Sequence, residues 1–156
     1  MHIKCILYII QVMEISQFTD YSLRVLIRAA VNESDELITS RQVAEEYGLS
    51  FNHITKVTHN LALNGYLKTV RGRGGGFSLA RPASQIGIGE IVRKTEDMSY
   101  VECLRSDGGK CCISTACHLK VIFIEARAAL LNVLDQYSLA DIARRKLELR
   151  KLFRIT

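Results

Sequence analysis

Four of the five cysteines lie between Cys103 and Cys117, in CLRSDGGKCCISTAC, directly ahead of a long apolar helical pattern. Thiolates spread along a loop can close on a soft metal, iron or zinc, in a way that cysteines scattered through a packed core cannot. The odd total and the clustering argue against the disulfide framework of a secreted domain, in which cysteines staple distant segments together. A reducing, cytoplasmic setting is expected, with a metal or redox site on the loop.

The second stretch with chemical character is cationic. Between Asn52 and Arg81 stand Lys56, Lys68, Arg71, Arg73 and Arg81 and not one acid, although the 156-residue chain carries a net charge of only +5. Such a local excess suits a polyanion. Wound as a helix, residues 51–63 place Phe51, Ile54, Val57, Thr58 and Leu61 on one side and Asn52, Lys56, His59, Asn60 and Leu63 on the other. A polar side free of acids, with His53 next to it, is what a recognition helix presents to the major groove; a plain amphipathic surface helix is the competing reading. Two β-like runs follow, 66–70 and 77–80, joined by Arg71, Gly72, Arg73, Gly74, Gly75 and Gly76. The glycines let backbone come close to a phosphate or a narrow groove, and the arginines supply charge. A nucleotide-binding loop would lie between strand and helix. This one lies between two strands, so a winged helix-turn-helix is expected, binding double-stranded operator DNA through Asn52, His53, Lys56, His59, Asn60, Arg71 and Arg73.

The elements that must hold these groups are read from caps and periodicity. Thr19 and Asp20 precede Leu23, Leu26, Ile27 and Ala30, the spacing of an amphipathic first helix with an acid at its positive end. Thr39 caps a second helix, RQVAEEY, that Gly48 ends; Ser50 caps the third, which runs to about Asn64 ahead of Gly65. Residues 118–136 are apolar on more than one side: Leu119, Ile122, Ala126, Ala129 and Val133 form one stripe, widened by Val121, Phe123, Ile124, Ala128, Leu130, Leu131 and Leu134. Such a helix has to be buried on several sides. In a chain this small, that predicts burial against its own domain and against a twin helix in a two-fold homodimer; an ordinary core helix is the simpler alternative. Ser138 and Asp141 cap a final helix carrying Arg144, Arg145, Lys146, Arg150, Lys151 and Arg154, read as a solvated face. The expected class is mainly α with a small β-hairpin wing. Its organisation is an N-terminal extension at 1–13, possessing an apolar run too short to span a bilayer and dispensable if Met13 is the natural start; a DNA-binding domain at 14–96; a ligand loop at 97–117; a dimerisation helix at 118–136; and a C-terminal helix at 137–156. No membrane partner is expected.

With these motifs in place, FTDYSLRVL, VRGRGGGFSLARPASQIGIGEIVRKTED, the clustered cysteines and YSLADI resemble the Rrf-type family of iron–sulfur winged-helix repressors over residues 13–142. The similarity is greatest to its nitric-oxide-sensing branch, with an iron-responsive branch second. The resemblance implies a homodimeric transcriptional repressor with one cluster per subunit, 4Fe-4S or 2Fe-2S, and nitric oxide as the cluster-reactive signal. The branch's C-x7-C-x5-C pattern maps onto Cys103, Cys111 and Cys117. Cys112 stands where relatives usually carry a non-ligand residue, so the pair Cys111 and Cys112 leaves the middle ligand open. The resemblance also implies that Asp20, reached from the opposite subunit, is a further ligand; an acid in a first helical turn is equally explained by the helix dipole. His118 is another candidate, but it does not fit the histidine spacing of the cluster-assembly branch.

Enzyme readings have little support in the residues. No Ser-His-acid order, paired-carboxylate pocket or metalloprotease helix stands out, and adjacent Cys117 and His118 point about 100° apart on a helix. The competing readings are an iron-responsive regulator of the same fold, a zinc-stabilised DNA-binding protein and a thiol-redox switch.

Overall fold

The structure, a computed structural model, describes residues 15–32, 37–105, 107 and 109–155. The expected extension at 1–13 lies outside them. Among the described residues are seven α-helices, α1 (Gln17–Ala30), α2 (Ser40–Tyr47), α3 (Phe51–Leu63), α4 (Ile88–Thr95), α5 (His118–Leu134), α6 (Leu139–Ile142) and α7 (Lys146–Leu152), and two strands, β1 (Leu67–Val70) and β2 (Gly76–Leu79).

Helix α1 is the post round which the domain is built, packing against α3, α4, α6 and β2. It starts earlier than the sequence suggests. Ser16, not Thr19, is its N-cap: the Ser16 hydroxyl accepts from the Thr19 amide and donates to Glu96 Oε2 at 2.9 Å, which ties the start of α1 to the end of α4. Thr19 is buried one turn inside. Helix α2 follows its signals, with a Thr39–Gln42 capping box and Gly48 left-handed at φ 64°. In α3, Ser50 occupies the cap position without making a capping bond. Ile54, Val57, Thr58 and Leu61 of α3 face inward as read, but Phe51, in the first turn and past the edge of the core, is 42% exposed.

The hairpin pairs Leu67 with Leu79, Lys68 with Ser78, Thr69 with Phe77 and Val70 with Gly76. Ile38 adds an antiparallel bridge to Phe77, so the edge of β2 is covered. The wing glycines answer to the fold itself. Gly72 and Gly74 have φ of 101° and 76°, and a Cβ on Gly76 would lie 2.6 Å from the Ile38 carbonyl oxygen. The core joins Val25, Leu26 and Val31 to Val43, Ile54, Val57, Leu61, Tyr66, Phe77, Ile86 and Ile91.

Two parts of the C-terminal half differ from expectation. The last segment is two short helices rather than one. Leu139 and Ala143, one turn apart, drop into the core beneath α1, and the chain then restarts as α7 to set Leu149 and Phe153 against the same core. The packing of these two pairs, rather than helix propensity, breaks the helix. Helix α5, by contrast, has no buried residue. Its half-buried positions are Lys120, Phe123, Arg127, Leu131 and Leu134, one stripe at three-and-four spacing; Leu119, Val121, Ile122, Ile124, Leu130 and Val133 are exposed.

Candidate DNA-binding face and thiol loop

Helix α3 presents Asn52, His53, Lys56 and His59 to solvent. Asn60 is half-buried, and its side-chain and backbone oxygens both accept from the Asn64 amide, at 3.2 and 2.9 Å. It closes the end of the helix and is less free to meet a base. Arg71 and Arg73 are exposed on the wing turn. Arg81 is not part of this cationic face: its guanidinium pairs with Glu90 at 2.7 Å and lies over the Tyr66 ring.

Two recesses flank α3. A smaller one, about 200 Å³, is lined by Gln17, Phe18, Tyr21, His53, Lys56 and Val57, and there the His53 and Tyr21 rings lie 6.3 Å apart. The start of α1 thus reaches the recognition helix. The other, about 550 Å³, runs between α2, α3 and the wing, where Arg41, Thr55, His59, Thr69 and Arg71 line it without an acid. Arg41, Thr55 and Thr69 were not legible as site residues. Thr55 lies between the two faces drawn on the helical projection, and the other two belong to elements whose placement beside α3 is tertiary.

The thiol loop closes on itself and on α5. Cys103 sits in a short 3-10 turn, Glu102–Leu104. The chain returns to that turn at Lys110, whose amide donates to Glu102 Oε1 at 2.8 Å, just before Cys111. Cys117 is the N-cap of α5. Tyr100 donates to the Phe123 carbonyl at 2.8 Å and meets its ring edge-on, pinning the loop to the inner stripe of α5. Cys103, Cys111 and Cys117 are half-buried free thiols, whereas Cys112 is exposed. Among the described residues, no three His, Cys, Asp or Glu side chains gather as a site for a single metal ion. Asp20 is held by Arg24, with Nε to Oδ1 at 3.1 Å and Nη2 to Oδ2 at 2.8 Å. His118 is exposed on the first turn of α5. The donor chemistry, soft thiols on a loop tied at both ends, fits an iron–sulfur cluster, whose several irons divide the thiolates among them.

The far end of α5 is joined to the DNA-binding domain. Arg93 of α4 forms a two-pronged ion pair with Asp135, at 2.6 and 2.5 Å. A Cβ on Gly89 would collide with that carboxylate. Gly87 bridges Ser138 just beyond.

A helix-turn-helix with a glycine-rich wing, attached through one helix to a cysteine loop, defines a winged-helix transcriptional regulator, and the chain belongs to the Rrf2 family, described as iron-dependent transcriptional regulators, whose model matches residues 15–145. Among curated relatives, the HTH-type transcriptional regulator NsrR of Bacillus subtilis is 45% identical over 144 residues, covering 92% of this chain and 99% of that protein. NsrR of Shouchella clausii is 43% identical over 141 residues, covering 90% and 95%. Among solved structures, CymR of Staphylococcus aureus is similar with a TM-score of 0.64 at 29% identity, covering 82% of this chain and 96% of that one. IscR of T. potens gives 0.67 at 25%, covering 85% and 87%. These relatives are regulators rather than enzymes. No helix among the described residues is long and apolar enough to cross a membrane.

Proposed function

We propose that this protein is a homodimeric, operator-binding repressor whose grip on DNA is set by an iron–sulfur cluster in each subunit, with nitric oxide as the signal. The observation that carries this reading is the continuity of the thiol loop with α5: Cys117 stands at the helix's N-cap position, Tyr100 pins the loop to it, and its other end is clamped to α4 by Asp135 and Arg93. Cys103, Cys111 and Cys117 would hold the cluster, with Cys112 the alternative for the middle position and Asp20 of the opposite subunit completing the set. When bound, the cluster supplies thiolate-ligated iron open to attack by a small diatomic ligand.

The chain's own residues do the rest. As a cluster ligand Asp20 would be drawn from its ion pair with Arg24, which lies over the Tyr47 ring and 5.9 Å from the Tyr21 ring centre. Tyr21 in turn meets His53 on the recognition helix. A change at the loop therefore has two routes to α3, along α5 through Asp135 and Arg93 to α4 and on through α1 in the same subunit, and through Asp20 and Arg24 in the other. A small shift in the spacing of the paired recognition helices loses phosphate contacts, and the difference in affinity between the two arrangements is the switch.

The apolar outer side of α5, exposed in the single subunit, supports a second copy as its cover, with residues 118–136 as the dimer helix, 14–96 as the reader and 97–117 as the ligand loop. Anaerobically purified protein should be brown and contain iron and acid-labile sulfide at one cluster per subunit, and nitric oxide should bleach it. A colourless protein with one zinc per subunit contradicts the reading. A second reading, iron supply as the signal, is favoured by the family's iron-dependent description; it predicts DNA release on iron chelation without nitric oxide.

A further inference from the structure

The recess between α2, α3 and the wing is cationic on both lips and contains no acid among its lining residues. Arg71 stands on the wing side. Arg41 stands on the other, at the start of α2, and its guanidinium carbon lies 4.9 Å from the centre of the Phe51 ring. Both residues are exposed, and no described carboxylate pairs with Arg41. The Phe51 ring is 42% exposed in the first turn of α3, which leaves a face open to the guanidinium. Stacking on it, a guanidinium keeps its N–H edges free while losing much of its freedom to wander.

We propose that Arg41, braced on Phe51, is a phosphate contact, and that one DNA strand's backbone runs along this recess between Arg41 and Arg71. Arg41 touches the phosphodiester; Phe51 is a positioning residue that acts through it. The floor fits a polyanion, since Thr55 and Thr69 offer neutral hydrogen-bonding groups between the two cations. Helix α2 directs its positive end into the same recess, with Thr39, Ser40 and Arg41 along the rim. The inference rests on the DNA-binding reading and adds a strand path to it, because a backbone held between Arg41 and Arg71 restricts how α3 lies in the groove.

The test uses the full-length holoprotein and two fluorescent 30-base-pair duplexes, one selected for tight binding from a random pool and one of random sequence, titrated at several salt concentrations. Arg41→Ala should weaken binding to both duplexes by a similar factor and lower the salt slope by about 0.9, the value for one phosphate contact. Arg41→Lys should keep the slope. Phe51→Ala, checked for folding by circular dichroism, should weaken binding several-fold, Phe51→Tyr should restore it, and the Arg41→Ala, Phe51→Ala double variant should be no weaker than Arg41→Ala alone. Neutral methylphosphonates placed one at a time in the selected duplex should identify one phosphate whose loss costs the wild type but not Arg41→Ala. An unchanged slope in Arg41→Ala, or additive effects of the two substitutions, overturns the proposal while leaving DNA binding intact. Failure of the wild type to bind either duplex would instead overturn the DNA-binding reading.

Discussion

Cys111 and Cys112 are neighbours with different surroundings, and the difference bears on which is a ligand. Cys111 is half-buried just after the chain returns to the Cys103 turn, while Cys112 faces solvent. A thiolate that shares a cluster is better placed where the loop folds inward. We therefore expect alanine at Cys103, Cys111 or Cys117 to abolish the visible absorption of the holoprotein and its signal-dependent release of DNA, and Cys112→Ala to retain both. A colourless Cys112→Ala protein beside a coloured Cys111→Ala protein would reverse the assignment. Asp20→Ala should fall between these limits, forming a cluster with altered spectra and lability, because a carboxylate holds iron less firmly than a thiolate and is replaceable by water. On α3, His59 and Asn60 diverge in the same way. His59 is exposed on the polar side of α3 and Asn60 is bonded to Asn64, so His59→Ala should change sequence preference by about 1–3 kcal/mol per base contact. Asn60→Ala should act mainly on helix stability, as read by thermal unfolding. An Asn60→Ala protein with altered sequence preference and native stability would place that side chain on the DNA.

Among the elements, those marked by local chemistry were legible and those made by distant contacts were not. Helix α2 could be read to within one residue because its Thr39 box and Gly48 terminator act within one turn. The hairpin could be read because two short β-like runs flank a glycine tract. Helix α4 left little trace. It has only eight residues with a glycine, Gly89, inside it, where the Asp135 carboxylate, 46 positions along, lies in the space a Cβ would take. The division of the last segment into α6 and α7 was hidden for a similar reason, since the cause is the core beneath α1. The fully buried Leu139 makes this segment part of the domain rather than an appendage. Leu139→Ala should cost about 2–5 kcal/mol of stability by the usual core truncation penalty, measured by urea unfolding. A loss under 1 kcal/mol would show that the C-terminal helices are docked loosely. Gly76→Ala should also destabilise, because the Ile38 backbone has to move to admit the methyl group.

At the scale of the whole molecule, one apolar helix is left half uncovered, and the reader and the thiol loop lie at its two ends. The surplus of apolar positions on α5 was visible in the sequence; which stripe faces inward was not, because several stripes are apolar and only the contacts with α4 and the loop distinguish them. The outward stripe of Leu119, Ile122, Ala126, Ala129 and Val133 is the expected dimer seam. Ile122→Glu with Val133→Glu should give a folded monomer by sedimentation and weaken binding to a two-fold operator far more than to a half-site, since two linked half-sites gain from effective concentration. A double variant that stays dimeric would move the seam elsewhere.

If cluster state and DNA affinity are coupled, one titration reads both. Anaerobic holoprotein bound to a fluorescent operator duplex is titrated with nitric oxide while cluster absorbance and DNA anisotropy are recorded on the same sample. Coupling requires that the two signals fall together, that DNA is released as the absorbance is lost, and that Cys112→Ala behaves like the wild type. Loss of the cluster's colour with the DNA still fully bound would contradict it.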